Sequence, residues 1–379
     1  MVFQLENSST VLEIFDESRK SLEFRESVAN SAVSISHLLI ETYCDFIRIS
    51  VAREEKNYSA HFFVYSLDDV STDDVEEPTT IGDVVFAHST RESAQELSVY
   101  HENRFVGVVS LVEYLFRIFP GPLRSVAFVT GTIPSRDISE FLVGLFRLNP
   151  IAQCGDMFLF ENGVSSKTMI DRILDLAVGL KRLDFRCTLP ADWNNPKILR
   201  LDTLISWPSE WLSTQDLISV LDCECANLNE TKLNWRAFKL FMLKWQSSES
   251  RRLKMLEISF DGDWDGWQHD GLEELHEWDP SERDSHFPDV FGEPDSDWHN
   301  CEFALDIRRK DGLLASYWRR ENSFHFVVWH DRRPIATLNP RPEQLVRLEP
   351  EQFKSDDEED DEEDDEEDVD GEEEEDVDE

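Results

Sequence analysis

The chain has 379 residues, of which 80 are acidic and 37 basic, so its formal net charge at pH 7 is −43. Its hydrophobic content of 40%, with 25 Phe and 11 Trp, is enough for a large core, whereas its acidity disfavours general binding to nucleic-acid phosphates. No stretch approaches the ~18 consecutive apolar residues that span a bilayer, and the N-terminus lacks the pattern of a secretory signal. We therefore expect a cytoplasmic or nuclear protein that binds neither nucleic acid nor membrane, with its six cysteines reduced.

The first part of the chain is weakly patterned up to residue 45. Residues 10–15 and 32–42 are predicted to form short helices, and residues 46–51 and 61–65 resemble the two strands of a hairpin. An acidic loop follows at 68–80. Residues 104–119 then place apolar side chains at intervals of three or four, which predicts a helix.

Predicted strands and helices then alternate along the chain. Strand starts are predicted near residues 125, 156, 180, 198, 226 and 253. The helix between the fourth and fifth begins with Ser213 and Asp216, which have the spacing of a capping box. Segments 180–185 and 253–258 fit the core of a leucine-rich repeat. Residues 46–260 are therefore predicted to form an α/β, irregular leucine-rich-repeat-like stack of strands and helices, with a doubly wound sheet as the alternative.

The C-terminal part changes character twice. Residues 261–300 are predicted to form an acidic, Trp-rich loop. Residues 301–339 contain four short apolar runs, at 303–308, 313–318, 324–329 and 335–338, which predict an antiparallel β-meander that caps the stack. Residues 340–379 are predicted to be a linker and a disordered acidic tail, since every residue from Asp356 to Glu379 is acidic except Val369, Gly371 and Val377.

Signatures of catalysis and of metal binding are weak. Asp261, Asp263, Asp265 and Gly266 imitate the start of an EF-hand loop, but its twelfth position is Leu272 rather than a bidentate Glu. Four histidines in the same region match no zinc spacing, namely His269, His276, His286 and His299. No nucleophile motif, phosphate-binding loop or dinucleotide fingerprint occurs. We expect a protein that is not an enzyme and has no cofactor.

Basic residues concentrate around the predicted meander. Because the remainder of the chain is acidic, this region is a candidate patch for an acidic partner, and the chain's own tail is one such partner. The candidate patch comprises Arg308, Arg309, Arg319, Arg320, Arg332 and Arg333.

Residues 198–330 carry three blocks whose order and spacing resemble the type 2 F-box-associated domain of nematode F-box proteins. The first block is 211–218, the second runs from 231 to 245 and into 253–258, and the third joins 306–312 to 326–329. The matching positions are Trp211, Leu212, Asp216, Leu217, Leu233, Phe241, Trp245, Asp306, Arg308, Asp311, Gly312 and Trp329.

This resemblance implies a non-catalytic substrate-recognition subunit of a cullin-based (SCF-type) ubiquitin ligase. In that family an F-box tethers the protein to the Skp1 adaptor and the associated domain selects targets. An F-box begins with a Leu-Pro-containing helix, whereas the first 40 residues here contain no proline, so we expect a degenerate tether. An alternative from another class is an acidic chaperone-like protein that shields basic clients such as histones through its tail.

Overall fold

The structure is a computed structural model, which describes residues 11–29, 34–52, 60–69, 78–81, 84–91, 93, 95–130, 135–164, 167–273, 275–288, 290–291 and 298–330. Residues 1–335 cluster into one unit, which contains every described residue. The predicted acidic tail, the linker before it and the predicted strand 335–338 lie outside the described residues. None of the helices in the described ranges is long and apolar enough to cross a membrane.

Eight α-helices lie in the described residues: α1 Val11–Lys20, α2 Leu22–Ala29, α3 Arg104–Ile118, α4 Ser135–Phe146, α5 Asn149–Ala152, α6 Lys167–Leu176, α7 Thr214–Ser219 and α8 Trp235–Ser247. The strands are β1 His37–Thr42, β2 Phe46–Ala52, β3 Ala60–Ser66, β4 Thr79–Ile81, β5 Val84–Phe86, β6 His88–Arg91, β7 Glu96–His101, β8 Ser125–Thr130, β9 Asp156–Val164, β10 Arg182–Thr188, β11 Thr203–Ser206, β12 Cys225–Thr231, β13 Met255–Phe260, β14 Leu275–Glu277, β15 His286–Pro288, β16 Trp298–Asn300, β17 Leu305–Arg308, β18 Leu314–Arg320 and β19 Ser323–Trp329.

Fifteen strands form one mixed sheet in the order β14-β17-β18-β19-β13-β12-β11-β10-β9-β8-β1-β2-β3-β7-β6. The predicted α/β class is thereby confirmed. Its centre is a parallel block in which β1 and β8 to β13 follow one another in chain order. Strands added in one direction through right-handed connections place their helices on one face. In agreement, α3 contacts α4, α4 contacts α6 and α7 contacts α8. We refer to this as the helix-covered face and to its opposite as the second face.

The N-terminal region is part of this sheet and its core. Phe15 of α1 packs against Phe62 of β3 and Tyr114 of α3, with ring centroids 5.1 and 5.6 Å apart. The predicted hairpin is confirmed as β2 and β3. The predicted helix over 32–42 is wrong, because residues 37–42 form β1 between β2 and β8. Leu38 and Ile40 are buried, and this alternation has the period of a strand rather than of a helix.

The C-terminal half departs from prediction in three places. The strand predicted to start at 198 begins at Thr203, because residues 198–200 form a short 3-10 turn. The antiparallel meander predicted for the first three apolar runs is confirmed as β17, β18 and β19. It extends the main sheet, because β19 pairs antiparallel with β13, so strands of the predicted segments 46–260 and 301–339 share one sheet. Part of the predicted acidic loop forms β14, which pairs with β17.

The core between α8 and the sheet is aromatic. Phe238 stacks on Phe324 with centroids 5.1 Å apart, and Trp245 packs edge-on against Phe326 at 5.3 Å. Trp211, Phe241 and Trp245 are at most 2% exposed. The predicted capping box is also confirmed, because the Asp216 amide donates to the Ser213 hydroxyl and the Asp216 carboxylate accepts from the Ser213 amide. These contacts hold α7 and α8 on the helix-covered face.

Candidate protein-binding surface

A row of aromatic rings crosses the second face at its N-terminal end. Phe46, Tyr65 and Tyr100 occupy paired positions on β2, β3 and β7, and Tyr43 precedes β2. Successive ring centroids lie 5.0 Å apart for Tyr100 and Tyr65, 5.4 Å for Tyr65 and Phe46, and 4.6 Å for Phe46 and Tyr43. Phe63 adds a fifth ring, 5.6 Å from Phe46. We call these five residues the aromatic row.

The aromatic row is accessible to solvent. Tyr43 is 39% exposed and the other four are half-buried. Alternate residues on the same strands, among them Phe62 and Val64, are fully buried against the helices. A sheet face that meets water normally carries polar side chains. Clustered aromatic side chains on a surface are instead typical of protein interfaces.

Charged and polar residues surround the row. Arg48 forms an ion pair with Glu41 on the neighbouring strand, and its guanidinium lies 5.9 Å from the ring centre of Tyr43. His61 shares a 2.8 Å hydrogen bond with Ser50. Burial, and then the charge of Arg48, lower the pKa of His61 below its ordinary value, which favours a neutral imidazole beside the rings.

A second feature of this face is a polar ladder across β12, β13, β19 and β18. Asn227, Glu257, His325 and Trp318 are partners in successive registers and therefore point to the same side. The Asn227 amide donates to Glu257 Oε2 at 3.1 Å, and His325 Nδ1 lies 3.2 Å from Glu257 Oε1. The Trp318 ring stacks on His325 with centroids 4.8 Å apart and planes 2° from parallel.

Both nitrogens of His325 have partners. Since a carboxylate only accepts, His325 Nδ1 donates to Glu257, and Nε2 shares a 2.9 Å hydrogen bond with the Ser323 hydroxyl. Next to them, Asn229 donates to Asn227 Oδ1 at 2.7 Å and Ser259 donates to Asn229 Oδ1 at 3.1 Å. These hydrogen bonds join residues of the ladder to one another and to their neighbours on the same strands, so the ladder aligns the four strands.

The described residues between 283 and 304, which are 283–288, 290–291 and 298–304, cover a part of the second face. Phe287, Phe291 and Cys301 form a second hydrophobic cluster with side chains of β12, β13, β18 and β19. Arg283 anchors the segment through an ion pair with Asp306, in which both side chains are 0% exposed. Arg283 also donates to the Cys301 carbonyl at 2.9 Å. The predicted loop is thus fixed to the sheet where these contacts occur.

The arginines predicted to form a patch for an acidic partner do not lie together. Arg309 is 2% exposed, donates to the Ser250 carbonyl and pairs with Asp311. Arg308 pairs with Glu282. Arg319 and Arg320 are exposed, although Arg319 lies over the Trp264 and Trp267 rings. Arg309 is therefore part of the protein interior. Among the described arginines of the predicted patch, Arg319 and Arg320 are exposed to a partner. Arg332 and Arg333 lie outside the described residues.

The positions that carry the family resemblance are mostly structural. Those buried in the core or at its edge, each at most 8% exposed, are Trp211, Leu212, Asp216, Leu217, Leu233, Phe241, Trp245, Asp306 and Trp329. Gly312 has a φ of 83°, a conformation that favours glycine, in the turn between β17 and β18. The hydrogen bond from Arg309 lowers the pKa of Asp311 far below its ordinary value.

The candidate metal ligands do not come together. Asp261, Asp263 and Asp265 are exposed, and Gly266 turns the chain with a φ of 80°. His269 packs against Trp267, His276 pairs with Glu282, His286 bonds to Ser285 and His299 lies 3.7 Å from Glu257. In the described parts of the chain, no group of three or more His, Cys, Asp or Glu residues is placed to hold a metal ion.

Sequence reasoning missed the aromatic row, the polar ladder and Arg283. The sequence predicts a strand over residues 61–65, in which apolar residues occupy both sets of alternating positions. This pattern indicates that each face of the strand is covered, either by the core or by a partner. No family model, curated protein or solved structure shows significant similarity to this chain. Its function therefore has to be argued from the surface itself.

Proposed function

We propose that this chain is a non-catalytic protein-binding module whose partner docks on the aromatic row. The observation that carries the proposal is the run of five half-buried or exposed rings on the sheet face opposite the helices that the structure describes. Tyr and Phe side chains gain large apolar contact area at low entropic cost when a partner covers them.

Within that role, substrate recognition for an SCF-type ubiquitin ligase is the biological setting that the F-box-associated resemblance supports. The sequential strand order from β8 to β13 supports an irregular leucine-rich-repeat-like stack, an architecture that other proteins use for binding. On this proposal the second face selects the client, and a link to Skp1 and cullin delivers it.

The test is co-purification of the tagged full chain from cells, compared with a variant carrying Phe46→Ala and Tyr65→Ala. A matched control replaces two exposed aromatic residues elsewhere, Trp207 and Phe303, which are 47% and 59% exposed. We expect a defined set of client proteins to be retained by the control, and recovery of Skp1 and cullin with them supports the ligase setting. Clients should be lost from the Phe46→Ala/Tyr65→Ala variant. Retention of every partner by a folded row variant contradicts the proposal.

A second candidate function rests on the acidic C-terminus. Residues 356–379 hold 21 of the 80 acidic residues, a composition suited to shielding basic clients such as histones. The same experiment separates the two functions. Histones that are lost on deletion of residues 356–379, but kept by the row variant, support the chaperone-like role.

A further inference from the structure

A cleft of about 750 Å³ opens where β2 begins and where β3 and β7 end, next to the first turn of α3. Its lining includes Cys44, Ser66 and Glu102, which lie within two residues of Tyr43, Tyr65 and Tyr100. The cleft, on the side of α3 and α4, and the aromatic row, on the second face, therefore lie at the same strand ends.

The floor of the cleft is apolar. Phe105, Val106 and Val109 come from α3, and Phe141 comes from α4. Phe105 and Phe141 pack together with centroids 5.2 Å apart. Val106 is nevertheless 49% exposed. A ligand that covers this floor removes apolar surface from water.

The rim of the cleft is acidic. Asp68, Glu102 and Glu140 line it from three different elements of the chain, and among the described residues none of them has a hydrogen bond or ion pair from its carboxylate. Among the described residues of the lining the one cation is Arg104, which donates to the Cys44 carbonyl and lies over the Phe105 ring. The described lining thus carries three carboxylates against one guanidinium, and its net charge is negative.

We propose that this cleft binds a cationic segment of the partner protein, in which an apolar side chain flanked by Lys or Arg enters the cleft. The apolar side chain covers the floor, and the flanking cations pair with Asp68, Glu102 and Glu140. A basic side chain that passes the cleft edge reaches the rings of the aromatic row, where cation–π contact adds to the attraction. Outside the acidic tail the chain still has 59 acidic against 37 basic residues, which steers a basic partner towards it.

Cys44 gives a local readout of occupancy. It is the exposed cysteine, whereas the other five cysteines are buried. Burial also raises the pKa of Cys154 to about 11 and that of Cys223 to about 12, which keeps those thiols unreactive. Alkylation of the native chain by iodoacetamide should therefore fall on Cys44.

The experiment measures the rate of Cys44 alkylation in the full chain against increasing concentrations of the synthetic peptide Arg-Leu-Arg-Leu-Arg-Leu. We expect the peptide to slow alkylation, and Glu-Leu-Glu-Leu-Glu-Leu to have no effect. The variant Asp68→Asn/Glu102→Gln/Glu140→Gln should need about tenfold more Arg-Leu peptide for half-protection, since three surface ion pairs are removed. Each protein is compared with itself without peptide, because the substitutions alter the intrinsic reactivity of Cys44.

A matched control removes the same charge from exposed sites elsewhere, with Asp192→Asn, Asp222→Asn and Glu249→Gln. It should keep the wild-type half-protection concentration. If the half-protection concentration rises equally in both triple variants, net charge alone attracts the peptide and the proposal is wrong. The proposal is also wrong if the peptide does not protect Cys44 in the wild-type chain.

This inference rests on the proposed function, but the two fail differently. If clients still depend on Phe46 and Tyr65 while Cys44 is never protected, only the cationic ligand is wrong. If the Phe46→Ala/Tyr65→Ala variant keeps every partner, the protein-binding role of the aromatic row fails, whatever happens at Cys44.

Discussion

Replacing Asp306 by Asn removes the charge that compensates Arg283 in the interior. Arg283 Nε lies 2.9 Å from both carboxylate oxygens of Asp306, and Arg283 Nη2 lies 2.8 Å from Oδ1. The Ser316 hydroxyl donates to the same Oδ1 at 2.6 Å. Because the guanidinium stays buried after the substitution, we expect Asp306→Asn to lower the free energy of unfolding by ~3–5 kcal/mol.

The double variant Arg283→Met/Asp306→Leu separates the cost of burying Arg283 without a counter-charge from the net contribution of the ion pair to stability. It removes both charges and keeps apolar volume beside Trp329, whose ring centre lies 5.0 Å from the Arg283 guanidinium. Such replacements of a whole buried pair are often close to neutral, so we expect the double variant to be more stable than Asp306→Asn alone. Urea unfolding followed by tryptophan fluorescence measures both, and Cys301, which is 0% exposed, should become reactive in the single variant. A loss below ~1 kcal/mol in Asp306→Asn would refute the reasoning.

Four further outcomes are expected. Trp245→Ala should destabilise by ~3–5 kcal/mol in the same urea assay, because a large ring leaves the core, and an unchanged midpoint contradicts the placement of α8. Asp311→Asn should lower the free energy of unfolding at neutral pH, and the difference in this free energy between variant and wild type should narrow as pH falls below ~4. The depressed pKa of Asp311 gives stability that is present above the unfolded-state pKa and is lost on protonation. A difference that does not depend on pH contradicts this stabilising role of the Asp311 carboxylate. Residues 1–40 should bind Skp1 weakly, and a stoichiometric Skp1 complex would reverse that expectation. Deletion of residues 356–379 should strengthen binding of an acidic peptide to the rest of the chain at low salt, if the tail competes for Arg319 and Arg320; equal binding leaves the tail a solubilising role.

Elements with strong local signals were predictable from the sequence. Helix α3 follows from apolar spacing, with Asn103 as its N-cap. Helix α7 follows from its capping box, and the predicted strand at 125–130 coincides with β8. In these segments the local pattern and the tertiary burial agree, so a single-sequence reading suffices.

What the sequence did not reveal depends on pairing between distant residues. Strands β4 to β7 lie in a region for which the sequence predicts only the acidic loop at 68–80. They gain stability from one another and from α3. The continuity of the N-terminal hairpin, the parallel block and the meander in one sheet is likewise a matter of long-range register. The Arg283–Asp306 pair joins residues 23 apart in the chain, and no local motif signals it.

The residues that resemble the F-box-associated domain and the residues proposed to bind a partner are different sets. Trp211, Phe241 and Trp245 are buried, and Asp306 is neutralised by Arg283, so none of them can contact a client without unfolding. The aromatic row and the acidic cleft lie instead within residues 43–144, outside the stretch that carries the resemblance. A buried motif constrains the packing of a fold, whereas exposed aromatic and charged side chains determine affinity and specificity. In this chain the choice of partner should therefore change with Phe46, Tyr65 and Glu102, while the buried positions stay intact.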